Sequence, residues 1–156
     1  MSRLNIVLFE PEIPQNTGNI ARTCACIGAC LHLVEPMGFR LTEKHLGRAG
    51  LDYWDEVEIK RYSHTDDFLE KHRAEELYFF TGSTKRLYTE VSYNAEGTYL
   101  IFGRESRGID PGILDKYQES CVRIPMREGL RSLNLSNAVA IGAYEVLRSW
   151  SYPSLV

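Results

Sequence analysis

The 156-residue sequence lacks the features that mark membrane and secreted proteins. No apolar run approaches the ~20 residues that a helix needs to cross a bilayer. The first residues lack the basic head, the apolar middle and the small-residue cleavage site of a secretory signal. Three of the four cysteines fall within residues 24–30, which is not the spaced pattern of a disulfide framework. We therefore expect a cytoplasmic protein with reduced thiols and no membrane association.

Positive charge is not in excess either, since 18 Lys and Arg stand against 21 Asp and Glu. This balance counts against a protein that coats nucleic acid through bulk charge, although a local basic patch is still sufficient to bind RNA. Neither the four histidines nor the cysteines have the spacing of a metal site, so no metal is expected. The length suits one domain that can bury a core without disulfides.

Short apolar runs alternate with helical patterns along the chain. We predict strands at 4–9, 31–34, 57–61, 77–81, 99–102 and 121–124, and helices at 18–27, 42–49, 66–73, 111–116 and 134–150. This alternation predicts an α/β fold of Rossmann-like type, with a mainly parallel sheet and helices on both faces. Ligands of such sheets bind beyond the carboxyl ends of the strands, so the segments that follow strands are the candidate site.

Three segments that follow predicted strands carry unusual polar residues. The first, 16–22, turns from a loop into a helix, and Asn16 and Thr17 are able to cap it. The second, 103–108, brackets a polar stretch with two glycines, which allow a ligand to approach the backbone. The third, 124–137, leads from a strand into a helix with more Ser and Asn than one cap requires. Each segment alone is also consistent with a capped helix or a polar turn. None of them has the glycine pattern of a dinucleotide or phosphate loop.

Together the three segments resemble the motifs of SPOUT-class RNA 2′-O-methyltransferases. The residues that carry the resemblance are 16–22 (NTGNIAR), 102–108 (FGRESRG), 124–126 (IPM) and 132–138 (SLNLSNA). Three further segments are similar to the TrmL type of that class, which methylates the ribose of the wobble nucleotide, position 34, of tRNA. These are 4–17 (LNIVLFEPEIPQNT), 35–39 (EPMGF) and 48–53 (RAGLDY). The resemblance extends over nearly the whole chain, so we expect no separate RNA-binding domain.

The resemblance implies a single domain over residues 1–156 with a trefoil knot near its C-terminus, acting on tRNA as a homodimer. Periodicity could not have predicted a knot, because knots are rare among proteins. The implied cofactor is S-adenosylmethionine, whose methyl group is already activated and needs no metal. The residues expected to hold it are Phe80, Thr81, Gly103, Glu105, Gly108, Ile124, Met126, Ser132 and Leu133.

By resemblance, Arg22 is the residue closest to the reacting 2′-hydroxyl. A guanidinium is a poor base because it stays protonated, so we expect Arg22 to orient the hydroxyl and stabilise developing charge, with transient base action left open. Glu105, Asn134 and Ser136 are expected to complete the catalytic site, Glu105 by holding an arginine through a charge-assisted hydrogen bond. The RNA is expected to contact a basic patch across the dimer seam, formed by Arg48, Arg104, Arg107 and Arg127.

Two alternative functions stay open. One is an enzyme of the same class that acts on another tRNA position or on ribosomal RNA. The other is an inactive module that keeps the fold and binds RNA or cofactor without turnover.

A further alternative concerns the apolar face of the last helix, which serves either the dimer seam or the core. Its amphipathicity favours the core by about two to one.

Overall fold

Six strands form the central sheet of the computed structural model, which describes residues 3–42 and 51–156. The strands are β1 (Leu4–Phe9), β2 (Cys30–Val34), β3 (Ile59–Tyr62), β4 (Glu76–Phe80), β5 (Thr98–Phe102) and β6 (Cys121–Val122). Their order across the sheet is β3-β2-β1-β5-β4-β6, and every neighbouring pair is parallel. The α/β class with a parallel sheet, predicted from the alternation of patterns, is confirmed.

Helices cover both faces of this sheet. They are α1 (Pro14–Ile27), α2 (Thr65–Lys71), α3 (Pro111–Lys116) and α4 (Leu135–Ser149), with short 3₁₀ turns at Leu51–Glu56 and Gln118–Ser120. Neighbouring strand residues point to opposite faces, so Ile6 and Leu8 pack with α1 and α4, whereas Val7 and Phe9 pack with α2 and α3. The helix predicted over 42–49 lies almost wholly outside the described residues. Among the residues that are described, no helix combines the length and apolar character needed to cross a bilayer.

The start of α1 differs from the prediction. The helix begins at Pro14 rather than Gly18, because proline is favoured at the first helical position, where its fixed φ suits the helix and no N–H is needed. Asn16 and Thr17 therefore lie inside the helix and are buried, and their predicted capping role is wrong. The predicted end is confirmed, since Gly28 closes the helix with a φ of 69°.

The last helix confirms the prediction that its apolar face serves the core. Val139, Ala143, Val146 and Leu147 are buried against the sheet. A Cβ added at Gly142 would lie 3.0 Å from the Phe80 ring, so this glycine lets the helix approach the end of β4 closely. Close packing here brings the N-terminus of α4 to the edge of the sheet where β4, β5 and β6 end.

A buried polar network lies on the face of the sheet that α2 covers. The Asn5 amide donates to the Thr98 carbonyl oxygen at 3.4 Å, which leaves Asn5 Oδ1 as an acceptor for His32 Nε2 at 3.0 Å. His32 Nδ1 then accepts from the Tyr62 hydroxyl at 2.9 Å. The Tyr62 oxygen in turn accepts from His72 Nε2 at 3.0 Å. Both ring nitrogens of His32 are thus used by a neutral imidazole.

The free energy of unfolding is expected to fall as the solution is acidified, because His32 stays neutral in the fold. Burial lowers the pKa of His32 to about 3, and burial also lowers the pKa of His72. Below pH ~6.5 an unfolded histidine takes up a proton that the folded one does not. The His32 contribution should therefore decrease by about 1.4 kcal/mol per pH unit as the pH falls from about 6.5 toward about 3. Urea unfolding at pH 7 and pH 5 measures this slope.

The control for this slope is His32→Gln, which removes the titrating group from the network. The variant should be less stable than the wild type at pH 7 and should lose less stability between pH 7 and pH 5. An identical loss in both proteins would show that His32 does not cause the acid sensitivity.

Candidate functional site

A cavity of about 850 Å³ opens at the carboxyl ends of β4, β5 and β6. These strands are neighbours in the sheet, so the segments that follow them meet at one edge. All nine residues predicted to hold the cofactor line this larger cavity. Asn134, Arg104 and Arg107 line it as well. The segments that the sequence indicated therefore line one open cavity at this edge of the sheet.

The turn after β5 forms one wall of the larger cavity. The Arg104 amide donates to the Gly108 carbonyl at 3.2 Å, and the Gly108 amide donates back to the Arg104 carbonyl at 2.8 Å. Gly108 has a φ of 68°, which favours glycine. A Cβ on Gly103 would lie 2.1 Å from the Gly108 carbonyl carbon and 2.3 Å from Ile109 N. Only glycine at 103 therefore lets the turn fold back onto the end of β5.

The Glu105 carboxylate binds the segment that leads into α1. Its two oxygens accept from the amides of Glu12 at 2.8 Å and Ile13 at 3.0 Å, and one of them also accepts from the Asn16 amide group at 3.4 Å. Ile13, the residue before the helix, provides no side-chain cap of its own. A carboxylate at this end satisfies free N–H groups and is favoured by the helix dipole.

This pairing differs from the role predicted for Glu105. No arginine bonds to it within residues 3–42 and 51–156, because both oxygens are occupied at the helix start. Arg104, the arginine next to it in sequence, instead pairs with Glu10 at 3.3 Å between Nε and Oε2. Glu105 therefore fixes the position of α1 relative to the turn after β5.

Asn134 joins the start of α4 to α1. Its amide nitrogen donates to Asn16 Oδ1 at 3.1 Å. Its own Oδ1 accepts from the Ser136 amide at 2.9 Å and the Ser136 hydroxyl at 2.6 Å, which caps the helix as predicted. Ser136 is absent from the cavity wall as far as the structure describes it and acts through Asn134. A chain of hydrogen bonds thus runs from Glu105 through Asn16 and Asn134 to Ser136 and connects all three polar segments.

Arg22 lies apart from the larger cavity of its own chain. It is six residues beyond Asn16 on α1, about 9 Å farther along the helix axis. Its side chain is exposed, and the guanidinium carbon lies 5.0 Å from the centre of the Tyr53 ring. A cation–π contact of this kind holds the guanidinium at the surface. One chain therefore does not bring Arg22 and the cavity together, contrary to the expectation of a pocket beside an arginine.

The predicted RNA-contacting arginines are partly gathered at the site. Arg104 and Arg107 lie on the cavity wall, and Arg127 is exposed on the loop after β6. Arg48 lies outside the described residues. Arg131 also lines the cavity, although the motifs did not single it out for RNA. Its position in a loop between a strand and a helix carried no local signal that could have distinguished it.

Comparison with known proteins identifies similar chains. Residues 3–144 match the SpoU rRNA Methylase family. A tRNA (cytidine(34)-2'-O)-methyltransferase from Escherichia coli is 47% identical over 154 residues, which cover 98% of each chain. A solved structure described as giving insights into the 2-OH methylation of C/U34 on tRNA is 41% identical, with a TM-score of 0.90 over 96% of this chain and 97% of that one. An AdoMet-bound rRNA methyltransferase from Sinorhizobium meliloti is 26% identical, with a TM-score of 0.84 over 95% of this chain and 57% of that one.

Proposed function

The chain belongs to the SpoU rRNA methylase family, and we propose that it methylates the ribose 2′-hydroxyl of the wobble nucleotide, position 34, of tRNA. The enzyme class predicted from the motifs, an RNA 2′-O-ribose methyltransferase, is confirmed by this membership and by the named relatives. The trefoil knot near the C-terminus is implied by the family fold. The observation that carries the proposal is the larger cavity, where all three motif segments meet through hydrogen bonds.

The larger cavity fits S-adenosylmethionine, the proposed cofactor. Apolar side chains such as Ile124 and Leu133 offer a surface for a flat base, and Thr81, Ser132 and Asn134 supply polar groups for a ribose and a charged tail. When bound, S-adenosylmethionine supplies a methyl group attached to a positively charged sulfur. As the methyl group is transferred, the sulfur keeps the electrons of the broken bond, and the product is S-adenosylhomocysteine.

We propose that the enzyme is a homodimer in which Arg22 acts at the larger cavity of the partner subunit. Arg22 is exposed and distant from the cavity of its own chain, as described above. Large apolar side chains are also exposed on the elements that flank this face of the sheet, with Ile13 before α1 45% exposed and Tyr144 on α4 48% exposed. Exposed apolar groups of this kind favour contact with a second protein surface. Arg22 would orient the ribose hydroxyl and stabilise charge on its oxygen as the proton leaves.

The tRNA is proposed to contact Arg104 and Arg107 at the mouth of the cavity, together with Arg127 and Arg48. Guanidinium groups bind phosphates in a bidentate manner, which would place the anticodon loop over the site. A cytoplasmic location stays a prediction that follows from the tRNA substrate.

The function is tested by incubating the protein with methyl-labelled S-adenosylmethionine and unfractionated tRNA, followed by nucleoside analysis. We expect label in a 2′-O-methylated pyrimidine nucleoside that maps to position 34. A matched tRNA with a 2′-deoxyribose at position 34 should accept no label. Label on a base, at another position, or in no nucleoside would contradict the proposal.

A further inference from the structure

A smaller cavity of about 420 Å³ adjoins the larger cavity at the carboxyl ends of β1 and β2. Its walls are formed by residues in 10–12, residues in 36–38 and the turn after β5. Arg104, Ser106 and Arg107 of that turn line both cavities. A single turn therefore separates the two spaces, and one nucleotide could place its ribose at this turn and its base in the smaller cavity.

The walls of the smaller cavity are held in place by contacts within the chain. The Gly38 amide donates to the Pro11 carbonyl at 3.0 Å, and a Cβ on Gly38 would lie 3.0 Å from Glu12 Cα. The Ser106 hydroxyl donates to Glu12 Oε1 at 2.6 Å. The segments after β1, β2 and β5 are thereby linked, so the cavity keeps its shape without a ligand and binding loses less entropy.

Each of the two carboxylates in the smaller cavity keeps one oxygen available. Glu12 uses Oε1 for Ser106, and Glu10 uses Oε2 for Arg104. Within residues 3–42 and 51–156, no hydrogen bond or ion pair reaches Glu12 Oε2 or Glu10 Oε1. An ionised carboxylate only accepts hydrogen bonds, so such an oxygen selects a ligand edge that donates.

The remaining walls suit a flat base. Pro36 and Met37 give the smaller cavity an apolar surface, and methionine sulfur contacts aromatic rings favourably. The two segments that form these walls, within 4–17 and 35–39, are also those that resemble the TrmL type beyond the motifs shared by the whole class. Enzymes of one class that share a cofactor differ in substrate, so these segments are where substrate choice is expected to be located.

We propose that the smaller cavity receives the base of nucleotide 34 and that Glu12 Oε2 accepts a hydrogen bond from the 4-amino group of cytosine. Carboxylates recognise this amino group in other nucleic-acid complexes. Uracil presents an oxygen at the same place, which a carboxylate repels. Glu12 therefore determines a preference for cytidine over unmodified uridine. The inference rests on the function proposed above.

The test uses tRNA transcripts that differ only at nucleotide 34, which is cytidine or uridine. Glu12→Gln should reduce kcat/KM for the cytidine tRNA by about tenfold, because the charged acceptor is lost, and should raise kcat/KM for the uridine tRNA, because a neutral amide no longer repels the uracil oxygen. The affinity of the variant for each tRNA, measured without cofactor, should change in the same direction as kcat/KM for that tRNA. Glu70→Gln is the matched control, since Glu70 is an exposed glutamate of α2 that pairs with Arg73 and is in the wall of neither cavity, and this change should leave kcat/KM for both tRNAs unaltered. Binding of S-adenosylhomocysteine should be unchanged in both variants.

A second substrate tests the wild-type protein directly. A tRNA with a pyrimidin-2-one ribonucleotide at position 34 lacks the 4-amino group. It should be methylated about tenfold less efficiently than the cytidine tRNA by the wild type, and about as well as the cytidine tRNA by Glu12→Gln. Methylation of position 34 with no difference among these bases would overturn the inference and leave the proposed function intact. Absence of methylation at position 34 by the wild type would overturn the proposed function itself.

Discussion

Arg22→Lys is expected to slow methyl transfer by about 10²–10³-fold while the affinity for S-adenosylhomocysteine stays within about twofold. Lysine keeps the positive charge but loses the planar fork of donors that can hold a ribose oxygen in one orientation. Cofactor binding should be unaffected because Arg22 is absent from the wall of its own cavity and is proposed to contact the ribose oxygen of the tRNA, not the cofactor, at the partner's cavity. Single-turnover transfer of labelled methyl to tRNA measures the first quantity, and calorimetry measures the second. Near-normal transfer by the variant would remove Arg22 from the mechanism.

A mixed dimer decides which chain's cavity Arg22 serves. One protomer carries Arg22→Lys and the other carries Gly103→Ala, which damages its cavity. If Arg22 acts on the partner subunit, the mixed dimer has one complete site and should show up to about half of wild-type activity, although each variant alone is nearly inactive. If Arg22 serves its own cavity, neither site is complete, and mixing restores nothing. Purification through two different tags isolates the mixed dimer, and sedimentation verifies its size.

Much of the fold could be predicted from local patterns. The predicted bounds of β1 and α3 agree with the structure because a continuous apolar run and an Asp110 cap are strong local signals. The predicted start of α1 is four residues late, because Asn16 and Thr17 suggest a cap whereas Pro14 already marks the first turn. Strand β6 ends at Val122 rather than 124, since its partner β4 ends at Phe80.

The location of the site could also be predicted, but not the hydrogen bonds that join its segments. Parallel strands place their following segments at one edge, so the convergence of the three motifs follows from the strand order. The bond between Glu105 and the Glu12 amide joins residues 93 positions apart, and that between Asn134 and Asn16 spans 118 positions. Such pairings depend on how helices dock on the sheet, which periodicity in the sequence does not determine.

The position of Arg22 illustrates the same limit of local reasoning. The motif around it places Asn16 in the cavity wall. Because α1 begins at Pro14, the whole segment from Asn16 to Arg22 is helical, and at about 1.5 Å per residue Arg22 lies about 9 Å farther along the helix axis. In the homodimer proposed above, the residues of this motif act together from two copies of the chain.

Gly103→Ala is expected to reduce cofactor affinity by more than about a hundredfold. The added Cβ would lie 2.1 Å from the Gly108 carbonyl carbon, a distance that no side-chain rotation relieves, so the backbone of the turn must move. This turn contributes Arg104 and Glu105 to the cavity wall, and Glu105 also holds the start of α1. Displacing it should therefore misplace two motif segments at once. Overpacking of this kind also costs about 1–3 kcal/mol of stability.

Gly82→Ala is the matched control, because Gly82 lines the same cavity and a Cβ there would meet nothing within 4 Å. Calorimetry with S-adenosylhomocysteine should show less than about a twofold change for this variant, and thermal unfolding should show that both variants fold. If Gly103→Ala folded and bound the cofactor as well as the wild type, the turn after β5 could not be part of the cofactor site. If both variants lost binding equally, the effect would come from added volume in the cavity rather than from the close approach of Gly103 and Gly108. The proposed site thus depends on a backbone contact that only glycine permits. Comparison of Gly103→Ala with Gly82→Ala distinguishes the loss of this contact from blocking of the cavity by an added methyl group.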